Sequence, residues 1–160
     1  LVLGFFELTK LLNIPTRFTI VGSPLTEADH TYEQELRRLC AENPSAQVEW
    51  GHAPHNAVAN FYTDAGGGVT VFVHASKTGS IDKAVLEALS AGLPVFSSSE
   101  AFAAVPGVRT FDAGDPMDLA KRLAHAVEAN ELSQNGAGRD YVALHHSLGR
   151  LLEKISMFYV

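Results

Sequence analysis

The chain has 160 residues, 46% hydrophobic and 19% charged, a balance that fits one globular domain of ordinary size and excludes a disordered segment. Eighteen acidic against twelve basic side chains give a net charge of −6, which argues against a nucleic-acid partner but allows a small local pocket for one diphosphate. The one cysteine, Cys40, rules out an internal disulfide framework and a Cys-rich zinc site, and it fits a reducing, cytoplasmic setting.

No run of about 20 apolar residues is available to span a membrane. The opening segment is apolar, but it has no basic leader and is interrupted by Glu7 and Lys10, so it does not read as a signal peptide. Leu1, Phe5, Leu8 and Leu12 recur instead at helical spacing and give one buried face. A numbering that starts at Leu with a helix already under way suggests a piece cut from a longer protein.

Strand and helix patterns then alternate. Residues 17–22 read as a short strand closed by Gly-Ser-Pro, and residues 27–42 as a helix with Leu36, Leu39 and Cys40 on one face. Residues 47–51 form a second strand ending at Gly51, and residues 56–62 a short helix with Val58, Phe61 and Tyr62 at core spacing. Residues 66–68, three glycines, read as a loop. The continuous apolar run at residues 69–73 is expected to be a strand buried on both faces. A helix over residues 82–91 should stop at Gly92 and Pro94, since glycine after a helix and proline beyond it end the ladder. Residues 93–96 and 108–111 give two more strands, the latter at an edge. Residues 116–130 and 131–159 read as helical, with a break near His145 or His146. This alternation implies an α/β fold with a doubly wound, Rossmann-like parallel sheet.

In such sheets ligands bind beyond the carboxyl ends of strands, where helix N-termini present their amides. Two strand ends are candidates. One is residues 73–83, a small polar loop before the helix that carries Glu87; open amides there, with Lys77 or Lys83, would attract an anion. Ser76, Thr78, Ser80 and Asp82 are alternatively ordinary caps for that helix. The other is residues 50–54, where backbone at Gly51 could read a flat base, or simply turn. Glu87 is flanked by Val85, Leu86, Ala88 and Leu89, so its charge needs partners unless it points to solvent. A sugar diol offers two hydroxyl hydrogens that suit a carboxylate.

The segment Ser76-Lys-Thr-Gly-Ser-Ile-Asp-Lys-Ala-Val-Leu-Glu-Ala-Leu-Ser-Ala-Gly-Leu-Pro-Val95 resembles the signature of the family 4, GT-B fold glycosyltransferases. That signature pairs two glutamates at the spacing that separates Gly79 from Glu87 here, followed by small residues, glycine and proline. Residues 18–22, Asn60-Phe-Tyr62, Gly114-Asp-Pro116, residues 138–142, His146-Ser-Leu and residues 155–159 match other pieces in order, so the resemblance covers nearly the whole chain.

The resemblance implies that residues 1–160 form the C-terminal, nucleotide-sugar-binding domain of a retaining glycosyltransferase whose N-terminal acceptor domain is absent. Glu87 would take the donor ribose. Thr78, Gly79, Ser80, Ile81, Asp82, Lys83 and Ala84 would face the diphosphate and sugar, and Gly51, His52 and Ala53 the base. The implied partners are the nucleotide-sugar donor and the missing half, through which peripheral membrane association would arise. No metal or other cofactor is implied. A nucleotide-sugar epimerase or phosphorylase half on the same architecture, and a degenerate regulatory domain, are the alternatives.

Two departures stand out. Gly79 occupies the position of the family's first glutamate, which leaves sugar recognition to Asp82 or to loop amides, though an aspartate there is equally a cap that repels phosphate. The family's Gly-Arg and Lys phosphate contacts should lie upstream of Leu1. The seven histidines are not expected to make a metal site: no Cys or carboxylate completes a ligand spacing with His52 and His55 or with His145 and His146, and the adjacent pair points about 100° apart on a helix. Ser97-Ser-Ser99 lacks the Gly-x-Ser-x-Gly elbow of a hydrolase, and Val21-Gly-Ser-Pro24 is not a dinucleotide fingerprint. Phe158 and Tyr159 are expected to pack in the core.

Overall fold

The computed structural model describes residues 1–51, 58–63, 68–76 and 79–158. The chain gathers into two compact units: Leu1–Phe61 with Gly114–Ala129, and Tyr62–Ala113 with Asn130–Val160.

The first unit contains α1 (Val2–Leu11), β1 (Arg17–Val21), α2 (Glu27–Ala41), β2 (Gln47–Gly51) and, from later in the chain, α5 (Pro116–Glu128). β1 and β2 pair in parallel from Arg17 opposite Gln47 to Val21 opposite Gly51. α1 packs against α5, and Gly4 permits that approach because a Cβ there would stand 2.9 Å from Leu119 Cδ2. Phe5 meets Phe18 of β1 with ring centroids 5.3 Å apart. α2 opens with a capping box: Thr26 accepts from the Asp29 amide, and the Asp29 carboxylate accepts from the Thr26 amide. Those hydrogen bonds hold the Asp29 carboxyl below its ordinary pKa, the Thr26 side chain contributing most. Asp115 caps α5 by accepting from Met117 N–H at 2.8 Å, with Pro116 at the first helical position.

The second unit is built on β3 (Phe72–His74), β4 (Val95–Ser97) and β5 (Val108–Thr110), paired in parallel in the order β3–β4–β5. α4 (Lys83–Ser90) links β3 to β4, and α6 (Gly136–His145) and α7 (Leu148–Ser156) follow. The short helix α3 (Ala59–Thr63) spans the boundary between the units. α4 lays Val85, Ala88 and Leu89 into a core with Val95, Phe102 and Val105, and α6 covers it with Tyr141 and Val142.

Three expectations need correction. The apolar run at residues 69–73 becomes a strand only from Phe72, and Val69 is exposed. The Phe72 amide donates to the Pro94 carbonyl, and before Pro94 the neighbouring chain has already turned back into the end of α4, so the ladder has nothing further to pair with. The strand buried on both faces is β4, whose Val95, Phe96 and Ser97 are all inaccessible, because β4 is central and β3 is not. Residues 131–135 are not helical, and Phe158 is 85% exposed instead of packed; Tyr159 lies outside the described residues. The break between the last two helices falls at His146, where the sequence placed it. The parallel α/β alternation also holds.

α4 ends as expected at Gly92. The Leu93 amide reaches the Ala88 carbonyl at 3.0 Å and the Gly92 amide the Leu89 carbonyl at 2.9 Å, a Schellman pair that needs the left-handed φ of +80° at Gly92. A Cβ at that position would run into the Arg139 guanidinium, whose Nη2 donates to the Ala91 carbonyl. Gly92→Ala should therefore lower stability by about 1–2 kcal/mol in urea unfolding. Gly136→Ala, where a Cβ meets nothing, should be neutral or stabilise by up to about 1 kcal/mol. Equal effects at the two glycines would contradict the left-handed stop.

Candidate functional site

The carboxyl ends of β3 and β4 converge on the start of α4. His74 ends β3 opposite Ser97, the last residue of β4. Beyond it the Ser98 side chain holds the loop: Ser76 N–H donates to Ser98 Oγ at 3.0 Å, and the Ser98 hydroxyl donates to the Ser76 carbonyl at 3.1 Å. Ser98 N–H in turn donates to the His74 carbonyl at 3.0 Å. The serine run after β4 thus fastens the loop that leads to α4.

Asp82 is the N-cap of α4. Its Oδ1 accepts from Ala84 N–H at 2.9 Å, and its Oδ2 lies 3.2 Å from His74 Nε2. The Ala84 amide, one of those assigned to a diphosphate, is therefore engaged by Asp82. By helix geometry the Lys83 and Val85 amides have no acceptor within the helix.

Glu87 follows one turn later on the flank of α4. Its side chain is 34% exposed, so it is half-buried, neither sealed in the core nor turned fully to water. The Tyr62 hydroxyl donates to Glu87 Oε2 at 3.5 Å, the long end of the hydrogen-bond range, and Lys83 Nζ lies 3.8 Å from Oε1. Tyr62 packs its ring edge-on against Phe72, with centroids 6.0 Å apart. Burial first, then the Glu87 charge and hydrogen bond, then the Asp82 charge push the Tyr62 phenol above its ordinary pKa. The start of α4 therefore carries two carboxylates, and its lysine is largely exposed.

Several assigned residues have simpler surroundings. A Cβ at Gly79 would meet nothing within 4 Å, so packing does not demand glycine there. Ile81 is exposed beside the cap. Gly51 is closely packed in its own unit: a Cβ would stand 3.1 Å from both the Phe61 ring and Val21 Cγ2, and its carbonyl already accepts from Gly22 N–H. Thr78, Lys77, His52, His55 and Ala53 lie outside the described residues.

His145 and His146 both lean on the Tyr141 ring, with centroid distances of 4.6 and 5.6 Å. Among the described residues no three His, Cys, Asp or Glu side chains stand together as a metal-binding group, and no helix is long and apolar enough to cross a membrane. A groove lined by Pro94, Gly107, Arg109, Glu131 and Asn135 lies at the amino ends of β4 and β5, opposite to the α4 start. Arg109 there is taken up by the Glu131 carbonyl at 3.0 Å and by the Phe96 ring.

Sequence reasoning missed His74 and Ser98. The signal was a histidine ending one strand with a serine triplet ending the next, which the register sets side by side.

A family model described as glycosyl transferases group 1 matches residues 5–129. The crystal structure of a glycosyltransferase from Rickettsia africae ESF-5 is similar, with a TM-score of 0.71 and 13% identity over 99% of this chain. The match spans 43% of that longer protein. No curated protein matches in sequence.

The raised Tyr62 phenol yields a test of the contact with Glu87. Its pKa is above the unfolded value, so it stabilises the fold below the ordinary tyrosine pKa and that contribution is lost as pH rises through the folded value. In an ultraviolet titration with Tyr62→Phe as the blank, Glu87→Gln should lower the Tyr62 pKa while burial still holds it above the ordinary value. No change would mean that the two groups do not interact.

Proposed function

The chain belongs to the glycosyl transferases of group 1, and on that premise we propose that it is the donor-binding half of a retaining glycosyltransferase that moves a sugar from a nucleotide-diphosphate donor to an acceptor. One observation carries the reading: the half-buried Glu87 lies one turn along α4 from its capped start, at the carboxyl ends of two parallel strands.

In this reading the two Glu87 oxygens accept the ribose hydroxyls, with Tyr62 and Lys83 fixing the carboxylate. Chain around Gly79, Ser80 and Ile81, together with the helix amides left by Asp82, borders the diphosphate and sugar. The positive end of the helix dipole favours the charge that gathers on the departing diphosphate. For the base, the family resemblance alone speaks for Gly51, His52 and Ala53.

The half-length match to the larger structure supports assigning acceptor recognition to further sequence of a longer protein. Catalysis then consists of placing donor against acceptor and stabilising the leaving group. The assignment needs no metal, and we place the reaction in the cytoplasm.

Calorimetric titration with nucleotide sugars tests the role of Glu87. Glu87→Gln should weaken binding by about 1–3 kcal/mol, the scale of a lost charged hydrogen bond. Unchanged affinity in a folded variant would remove Glu87 from the site. Donor affinity should be the same with and without EDTA, and strict dependence on a divalent ion would overturn the metal-free assignment.

A further inference from the structure

His74 has no part in the donor-site reading above, yet it is the hub of the polar network at the α4 start. It stands in register with Ser97, so the two side chains share one face of the sheet. Ser97 Oγ lies 3.1 Å from His74 Nδ1 and also accepts from Ser99 N–H at 3.2 Å. The opposite ring nitrogen, Nε2, lies 3.2 Å from Asp82 Oδ2. In a neutral imidazole facing an ionised carboxylate, which can only accept, the ring proton sits on Nε2 and Nδ1 accepts the Ser97 hydroxyl.

The donors therefore run in one direction, from Ser99 N–H to Ser97, from Ser97 to His74, and from His74 to Asp82. The other Asp82 oxygen is held by Ala84 N–H. Phe102 fixes the ring from the side, edge-on, with centroids 6.2 Å apart.

Ser97, His74 and Asp82 are the residue types of a hydrolytic triad, but Ser97 has no accessible surface, so it cannot attack a substrate. Exposure rises along the chain of bonds instead: Ser97 is inaccessible, the His74 side chain is 12% exposed and that of Asp82 is 46% exposed. The network anchors an exposed carboxylate to a buried strand.

We propose that His74 is a positioning residue of the donor site, and that through it Asp82 is held as a fixed acceptor for hydroxyl groups of the transferred sugar. This rests on the donor-binding reading above. Each Asp82 oxygen keeps acceptor capacity after its bond to His74 or Ala84. A sugar hydroxyl has a hydrogen to give it, whereas a phosphate carries like charge and is repelled. Asp82 therefore belongs to the sugar and not to the diphosphate. Its engagement of the Ala84 amide agrees, because that amide is then not open to phosphate.

The test titrates the 160-residue chain with UDP, GDP and ADP, and with UDP-glucose, GDP-mannose and ADP-glucose. The proteins compared are wild type, His74→Ala, His74→Gln and Asp82→Asn. For the base that binds, His74→Ala and Asp82→Asn should lower affinity for the nucleotide sugar about ten-fold more than for the matching free diphosphate. His74→Gln, whose amide can donate from near the Nε2 position, should recover most of that difference.

Equal losses for both ligands, or a glutamine variant no better than alanine, would overturn the positioning role and leave the donor site standing. A wild-type chain that binds none of the six would overturn the donor reading itself and this inference with it. Should His74→Ala fail to fold, Asp82→Asn and His74→Gln carry the comparison, since asparagine still caps the helix.

Discussion

The candidate site depends on where α4 begins, and that is set by one carboxylate. Asp82 gives one oxygen to the Ala84 amide of the helix it starts and the other to His74 at the end of β3. Remove it, and both the first turn of α4 and the strand end lose their common partner. A capping aspartate contributes about 0.5–2 kcal/mol to a helix. Here the same side chain also ties the helix start to the end of β3, and Glu87 stands on the helix that begins there.

This arrangement gives the site its charge character. A helix start is ordinarily an attractive place for an anion, but Asp82 already occupies part of it, and Glu87 adds a second carboxylate within reach of Tyr62. Lys83 offsets that charge only weakly, because it is mostly in water and 3.8 Å from Glu87. The balance favours a ligand that brings both hydroxyl groups and phosphate over a bare polyanion. A nucleotide sugar has that composition.

Much of the fold was legible in the sequence because it is written in local rules. The Gly92 and Pro94 stop of α4 and the strand over Gln47–Gly51 each follow from one residue's backbone preference or from apolar alternation. β3 was misjudged because its length is not a property of residues 69–73. It depends on the place where β4 becomes available, and Pro94 with the turn before it decides that. Phe158 was misjudged for a related reason, since an aromatic pattern does not reveal whether a neighbour is there to cover it. Within the site, Glu87 stood out as a charge among apolar residues. His74 did not, because its meaning comes from Ser97, which lies far along the chain and is brought opposite only by strand register. Gly51 was read for its lack of a side chain, and the structure supplies a packing reason for that lack in Phe61 and Val21.

The central claim is that the start of α4 is where a nucleotide sugar is held. The most direct measurement is amide chemical-shift mapping of the isotope-labelled chain as a nucleotide sugar is added. The account predicts that the largest changes fall between Gly79 and Glu87 and at His74. Changes confined to the groove around Arg109 and Asn135, or none anywhere at saturating ligand, would contradict it.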